Sequence, residues 1–76
     1  MIDRDRLIGK IIDPEENDQQ WAAHVITGVL GPKMVHAEQE SIYSNGGGVM
    51  TVKDLCRLAS NTQLEKIAKK LGVKID

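Results

Sequence analysis

Aromatic residues, cysteine and proline are all scarce in this sequence. It has no Phe, one Trp, one Tyr, one Cys and two Pro among 76 residues. A single cysteine excludes an internal disulfide framework and favours a reducing compartment. No apolar run reaches the roughly 18 residues needed to span a bilayer. The charged first twenty residues are unlike a signal peptide, so we expect a cytoplasmic protein with no membrane association.

The remaining composition is that of an ordinary small globular domain. Hydrophobic residues make up 41% of the chain, charged residues 28%, and the formal net charge is −1. This balance argues against a disordered tail, and the length predicts one domain over 1–76. A core this small often gains stability from self-association or a partner. We therefore expect a homo-oligomer or a complex with another protein.

The clearest predicted element is a helix over 14–30. Asp13 is a suitable N-cap, and Pro14 suits the first helical position. Gly31 and Pro32 predict the end of the helix, because Gly accepts a left-handed cap and Pro cannot continue the helix. The apolar residues recur at helical spacing along one face: Trp21, Ala22, Val25, Ile26, Val29 and Leu30.

Two other segments in the N-terminal half allow alternative structures. The apolar pairs in 7–12 match a short helix capped by Asp3, and a strand is the alternative. The segment 33–44 fits a helix that begins at Pro32, and the alternative is a strand over 41–44 that forms the first arm of a hairpin. Asn45-Gly46 is a favoured hairpin turn, so the sequence favours a short hairpin or an irregular loop near 41–51.

Capping-box spacing predicts two short helices in the C-terminal third. The pairs are Thr51 with Asp54 before 52–59, and Thr62 with Glu65 before 62–71. The second helix has an apolar stripe on one side and a lysine-rich opposite side, and Gly72 predicts its end. The predicted fold is therefore a mostly α domain of three to four short helices, with or without one short β-hairpin near 41–51.

A lysine-rich segment suggests an alternative function. Leu64–Val73 resembles the first helix and turn of the helix-turn-helix DNA-binding motif, in which a recognition helix follows into the major groove. Only three residues follow Val73 in this sequence, so we expect no recognition helix there. The resemblance implies a DNA-binding transcriptional regulator whose contact residues are Arg57, Lys66, Lys69 and Lys70.

Charge is distributed unevenly along the chain. Residues 1–50 hold four basic and eight acidic side chains, a net charge of −4, whereas 51–76 hold six and three, a net charge of +3. Such polarity favours head-to-tail assembly or a charged partner. The alternative is two solvated helix faces of opposite sign.

No catalytic or metal-binding pattern stands out. The candidate ligands and nucleophiles lack the H-E-x-x-H and C-x-x-C spacings of such sites: His24, His36, Glu38, Glu40 and Cys56. The glycine-rich segment 45–53 matches neither of the common phosphate-binding loops. We therefore expect a non-enzymatic protein with no cofactor and no metal.

The apolar arc of helix 14–30 is the most informative feature. At 100° per residue it extends from Trp21 at 0° to Leu30 near 180°, wider than one neighbouring helix covers. Either the helix is central, with Trp21 as a core anchor, or part of the arc faces another chain. Trp is enriched at binding hot spots, and Gly28 beside the arc permits close approach. We predict an interaction module (regulator, adaptor or inhibitor) whose partner-binding residues are Trp21, Val25, Ile26, Val29 and Leu30.

Overall fold

A computed structural model describes residues 3–74, which form five α-helices and no strand. The helices are α1 (Arg4–Ile11), α2 (Gln19–Leu30), α3 (Pro32–Ser44), α4 (Val52–Leu58) and α5 (Asn61–Leu71). The predicted mostly α class is confirmed, with five helices in the described range rather than three or four. None of these helices is long and apolar enough to cross a membrane.

Helix α2 is the central element of the fold. It packs against α3, α4 and α5, and α1 packs against α5. Four helices and the residue that follows α4 supply the buried apolar side chains: Leu7, Ile8, Ile11, Ala22, Val25, Ile26, Leu55, Cys56, Ala59, Leu64, Ile67 and Ala68. Helix α3 contributes no buried residue. It therefore lies outside the core, against one side of α2.

The predicted start of the helix over 14–30 is wrong. The carboxylate of Asp13 accepts a hydrogen bond from the Glu15 amide at 2.9 Å, in a turn that precedes the helix. Asp18 is the true N-cap of α2, and its side chain accepts from the Gln20 amide at 2.9 Å. The buried amide of Asn17 donates to the Lys10 carbonyl at 3.0 Å. The turn therefore closes the end of α1 instead of opening α2.

The predicted hairpin near 41–51 is wrong, because α3 continues to Ser44, but the alternative of an irregular loop is confirmed for residues 45–51. Asn45 is the C-cap of α3, and Gly46 follows it with a φ of +83°. An Asn-Gly pair therefore ends a helix here, since Gly takes the left-handed conformation that a helix terminus requires. The side-chain amide of Gln39 then forms hydrogen bonds with the backbone of the segment after α3. Its Nε2 donates to the Gly48 carbonyl at 2.9 Å, and its Oε1 accepts from the Met50 amide at 2.8 Å.

The starts of α1 and α4 are as predicted, whereas the start of α5 is not. Asp3 caps α1, so the strand alternative for 7–12 is wrong. The Thr51 and Asp54 capping box opens α4 as predicted. Helix α5 begins earlier than predicted, with a capping box formed by Ser60 and Gln63 in place of Thr62 and Glu65. Both pairs satisfy the same spacing, so the spacing alone does not choose between them.

Candidate interaction surface

The structure divides the predicted apolar arc of α2 between core and surface. Val25 and Ile26 are core residues, with exposed fractions of 7% and 0%. Val29 and Leu30 are partly buried against the core. Trp21 has an exposed fraction of 53%. The interpretation of Trp21 as a core anchor is therefore wrong, although α2 itself is central.

Trp21 is held by a neighbour on the same helix. The ring of His24 stacks on the indole, with ring centroids 5.4 Å apart and an interplanar angle of 25°. His24 is exposed as well, so the two rings together form an aromatic surface on the outside of α2. Stacking restricts the rotamers of the indole, which lowers the entropy lost when another molecule packs against it.

An open cleft lies beside this aromatic pair. It has a volume of about 350 Å³ and is lined by Trp21, His24, Val25, Gly28 and Lys70. Four of these residues belong to α2, and Lys70 belongs to the last turn of α5. We call this site the Trp21 cleft. The sequence placed Trp21 and Gly28 on one side of a helix, but only the packing of α5 against α2 brings Lys70 to them.

Gly28 leaves a gap in the wall of the Trp21 cleft. A Cβ atom added at this position would meet no atom within 4 Å, and the residue is exposed. Glycine inside a helix costs roughly 0.5–1 kcal/mol relative to alanine. No feature of the described chain requires glycine at position 28, because no neighbouring atom approaches closely and φ is not positive there.

The residues predicted to contact DNA fall on two different helices. Lys66, Lys69 and Lys70 are exposed on α5, away from its buried stripe. Arg57 is on α4 and lines a separate cleft with Lys53 and residues of α1. The lysines of α5 therefore form one cationic surface, and Lys70 also contributes to the Trp21 cleft.

Arg4 lines the second cleft, and its guanidinium has partners within the fold. Its Nη1 donates to Oδ1 of Asn61 at 3.1 Å, and its Nη2 donates to the backbone carbonyls of Cys56 at 3.3 Å and Arg57 at 3.1 Å. Sequence reasoning missed this contact, because more than fifty residues separate the partners and no local pattern marks it. The role of Arg4 is to join α1 to the end of α4.

The candidate metal ligands and nucleophiles do not converge. His36 is exposed and lies 3.1 Å from the Glu40 carboxylate one turn later, while His24 stacks on Trp21. Cys56 has an exposed fraction of 0%, and burial raises the pKa of its thiol to about 11. Among residues 3–74, no three His, Cys, Asp or Glu side chains are placed to hold a metal ion.

The other exposed apolar side chains are scattered. Tyr43, on α3, has the same exposed fraction as Trp21, 53%. Met34 is also on α3, Val49 is in the segment that follows, and Leu58 ends α4. None of these residues lines the Trp21 cleft. Tyr43 is therefore a useful reference for how an exposed aromatic residue behaves elsewhere on the same molecule.

Known proteins offer no assignment for this surface. No protein-family model, no curated protein and no solved structure matches the chain. The function is therefore inferred from the chemistry of the Trp21 cleft and the charges around it.

Proposed function

We propose that this chain is a non-enzymatic interaction module, a small regulator, adaptor or inhibitor, that binds a protein through the Trp21 cleft. The observation that carries the proposal is the exposure of about half of its sole tryptophan on the central helix. An exposed Trp leaves a large apolar area in contact with water, and covering that area is favourable. The lone thiol suits the cytoplasm, where cysteines stay reduced.

The composition of the cleft supports a protein partner. Trp21 and His24 supply aromatic surface, Val25 supplies an apolar floor, and Lys70 supplies one charge at the edge. An aromatic anchor at an apolar centre with a polar rim is typical of protein–protein hot spots.

The position of the cleft on the scaffold supports the same function. Helix α2 packs against three other helices, so the backbone that carries Trp21 is fixed by the core before any partner arrives. The His24 ring restricts the indole further. A preorganised surface loses less conformational entropy on binding than a flexible one.

The test is capture of a partner by matched variants. Trp21→Ala and Tyr43→Ala each remove an aromatic ring with an exposed fraction of 53%, and only the first lies in the cleft. The tagged protein and the two variants are incubated with lysate, and retained proteins are identified by mass spectrometry. We expect the wild type and Tyr43→Ala to retain one partner protein, and Trp21→Ala to lose it. A second copy of this chain counts as such a partner. Equal retention by both variants contradicts the proposal.

DNA binding is the competing function, favoured by the exposed lysines of α5. The combined change Lys66→Gln and Lys69→Gln removes two of these charges and leaves the Trp21 cleft unchanged. A DNA-binding protein would bind duplex DNA in a salt-sensitive way, and this variant would bind more weakly. A nuclease-treated lysate separates the two functions, because capture through nucleic acid is then lost while direct protein binding persists.

A further inference from the structure

We propose that the Trp21 cleft is filled by a second copy of this chain, in a two-fold symmetric dimer whose two α2 helices pack antiparallel. This inference rests on the proposed function, since it names the partner of the same surface. The juxtaposition that carries it is Trp21 and Gly28, a protruding ring and a missing side chain in the wall of one cleft.

The exposed side of α2 is complementary to itself. Trp21 and Gly28 are seven residues apart, which is two helical turns or about 10.5 Å along the axis. A two-fold axis between His24 and Val25 places Trp21 of each copy opposite Gly28 of the other. Each indole then enters the gap that the other helix leaves open. This is the reciprocal pattern of an isologous interface, the commonest type among soluble oligomers.

The dimer accounts for a glycine that the single chain does not need. Gly28 lies inside α2, where it weakens the helix, and a Cβ there would meet nothing within 4 Å. In the wall of the Trp21 cleft, this space is open to a molecule outside the chain. It allows close approach of a second helix, with room for a ring as large as indole.

Charge complementarity also favours a second copy. Lys70 lines the cleft that the indole enters, and a cation near the face of Trp is stabilising. The acidic turn before α2 carries Glu16 and the N-cap Asp18.

The arrangement of α5 directs these charges towards each other. Leu71 to Lys74 share a cleft with Glu16 and Asn17, so the end of α5 lies beside the start of α2. Lys70, one residue before that end, lines the same cleft as Gly28, which is in the C-terminal half of α2. Antiparallel pairing brings Asp18 of the second copy to that half of the helix.

The first experiment measures mass against concentration by light scattering or sedimentation. We expect a reversible monomer–dimer equilibrium that Trp21→Ala weakens by about thirtyfold, the loss typical of a hot-spot residue. Gly28→Gln fills the gap and weakens the dimer as well. It keeps or raises the thermal midpoint of the monomer, because an exposed helical glycine is replaced by a better helix former. A loss of dimer through unfolding would lower that midpoint instead.

Two matched controls show whether the effect is local. Gly9 is an exposed glycine inside α1, and a Cβ there also meets nothing within 4 Å. Gly9→Gln therefore makes the same chemical change on another helix. Tyr43→Ala removes an aromatic ring as exposed as Trp21. Both control variants should dimerise as the wild type does.

The second experiment tests the register of the two helices. Trp21→Cys and Gly28→Cys are prepared separately, mixed and oxidised. Each chain carries only one introduced cysteine, and the native Cys56 is fully buried. The proposed register predicts a covalent dimer that contains one chain of each variant. Tyr43→Cys mixed with Gly28→Cys should give none.

The outcomes separate this inference from the proposed function. A chain that stays monomeric at high concentration and forms no bond between positions 21 and 28 overturns the dimer. If Trp21-dependent capture of a different protein persists in that case, the proposed function stands and only the identity of the partner changes. If neither self-association nor capture depends on Trp21, both proposals fail.

Discussion

The guanidinium of Arg4, in the first turn of α1, donates a hydrogen bond of 3.1 Å to the backbone carbonyl of Arg57. Arg57 lies 53 residues later in the sequence. The same nitrogen also donates to the Cys56 carbonyl, and the other guanidinium nitrogen reaches the side chain of Asn61. The last carbonyls of a helix lack partners within the helix, and a cation is favourable there. One arginine therefore satisfies the end of α4 and fixes the short break before α5.

Replacement of Arg4 by Met, which keeps much of the alkyl chain, should destabilise the fold. We expect the free energy of unfolding to fall by about 1–2 kcal/mol, because charged hydrogen bonds to backbone carbonyls are lost. Urea unfolding followed by circular dichroism measures the change. Arg57→Ala is the control, since it removes a positive charge from the same region but keeps the backbone carbonyl. Equal losses in both variants would show that net charge matters here, not the hydrogen bonds of Arg4.

The capping box that opens α5 gives a second prediction. Ser60→Ala should lower the free energy of unfolding by about 1 kcal/mol, because the hydroxyl that accepts from the Gln63 amide is lost. Thr62→Ala should cause no loss, since position 62 is inside the helix and Ala is the better helix former. Thermal unfolding of the two variants measures the order. The reverse order would mean that α5 begins at the Thr62 and Glu65 pair.

The periodicity of apolar residues in the sequence predicted correctly those helices whose buried residues recur at every turn. In α5 the stripe formed by Leu64, Ile67 and Ala68 is buried as predicted, and Gly72 ends the helix with a φ of +76°. The stripe is dense and Gly72 follows it, so local patterns are enough to predict the helix and its end, whereas its first residue depends on a choice between two capping boxes. Helix α3 has no buried residue, so its apolar pattern was too weak to outweigh the turn preference of Asn45-Gly46.

The candidate site needed tertiary information. An apolar arc indicates which side of α2 is non-polar, but it does not indicate which of those residues neighbouring helices will cover. Val25 and Ile26 meet α4 and α5 in the core, whereas Trp21 lies beyond the edge of that contact. Lys70 belongs to another helix, 42 residues after Gly28. Only the packing of α5 against α2 assigns it to the cleft.

The turn after α3 depends on a glycine for steric reasons. A Cβ at Gly47 would overlap the Cγ2 methyl of Ile42 and lie 3.1 Å from the Ile42 carbonyl oxygen, whereas a Cβ at Gly48 meets nothing within 4 Å. Gly47→Ala should therefore cost about 1–3 kcal/mol through overpacking. Gly48→Ala should be neutral or slightly stabilising, because it restricts the unfolded chain. Urea unfolding of both variants measures the difference, and equal effects would contradict the steric explanation.

The buried thiol of Cys56 should make the fold sensitive to alkaline pH. Burial raises the pKa of this thiol from 9.0 to about 11. The folded state therefore keeps the proton at pH values where the unfolded state has lost it. The contribution of this group is fully present below pH 9, and the free energy of unfolding falls as pH rises from 9 to 11. Chemical denaturation at pH 8, 9, 10 and 11 measures the decline.

The variant Cys56→Ala separates this effect from the other groups that titrate in the same range. Loss of the buried sulfur lowers the free energy of unfolding at every pH, because it leaves a small cavity. The difference between wild type and variant should stay constant up to pH 9 and then narrow towards pH 11, since only the wild type carries the thiol. A difference that stays constant over the whole range would mean that the thiol ionises equally easily in both states. Slow alkylation of native Cys56 at pH 8, with rapid alkylation in urea, is the accompanying result expected from a protonated, inaccessible thiol.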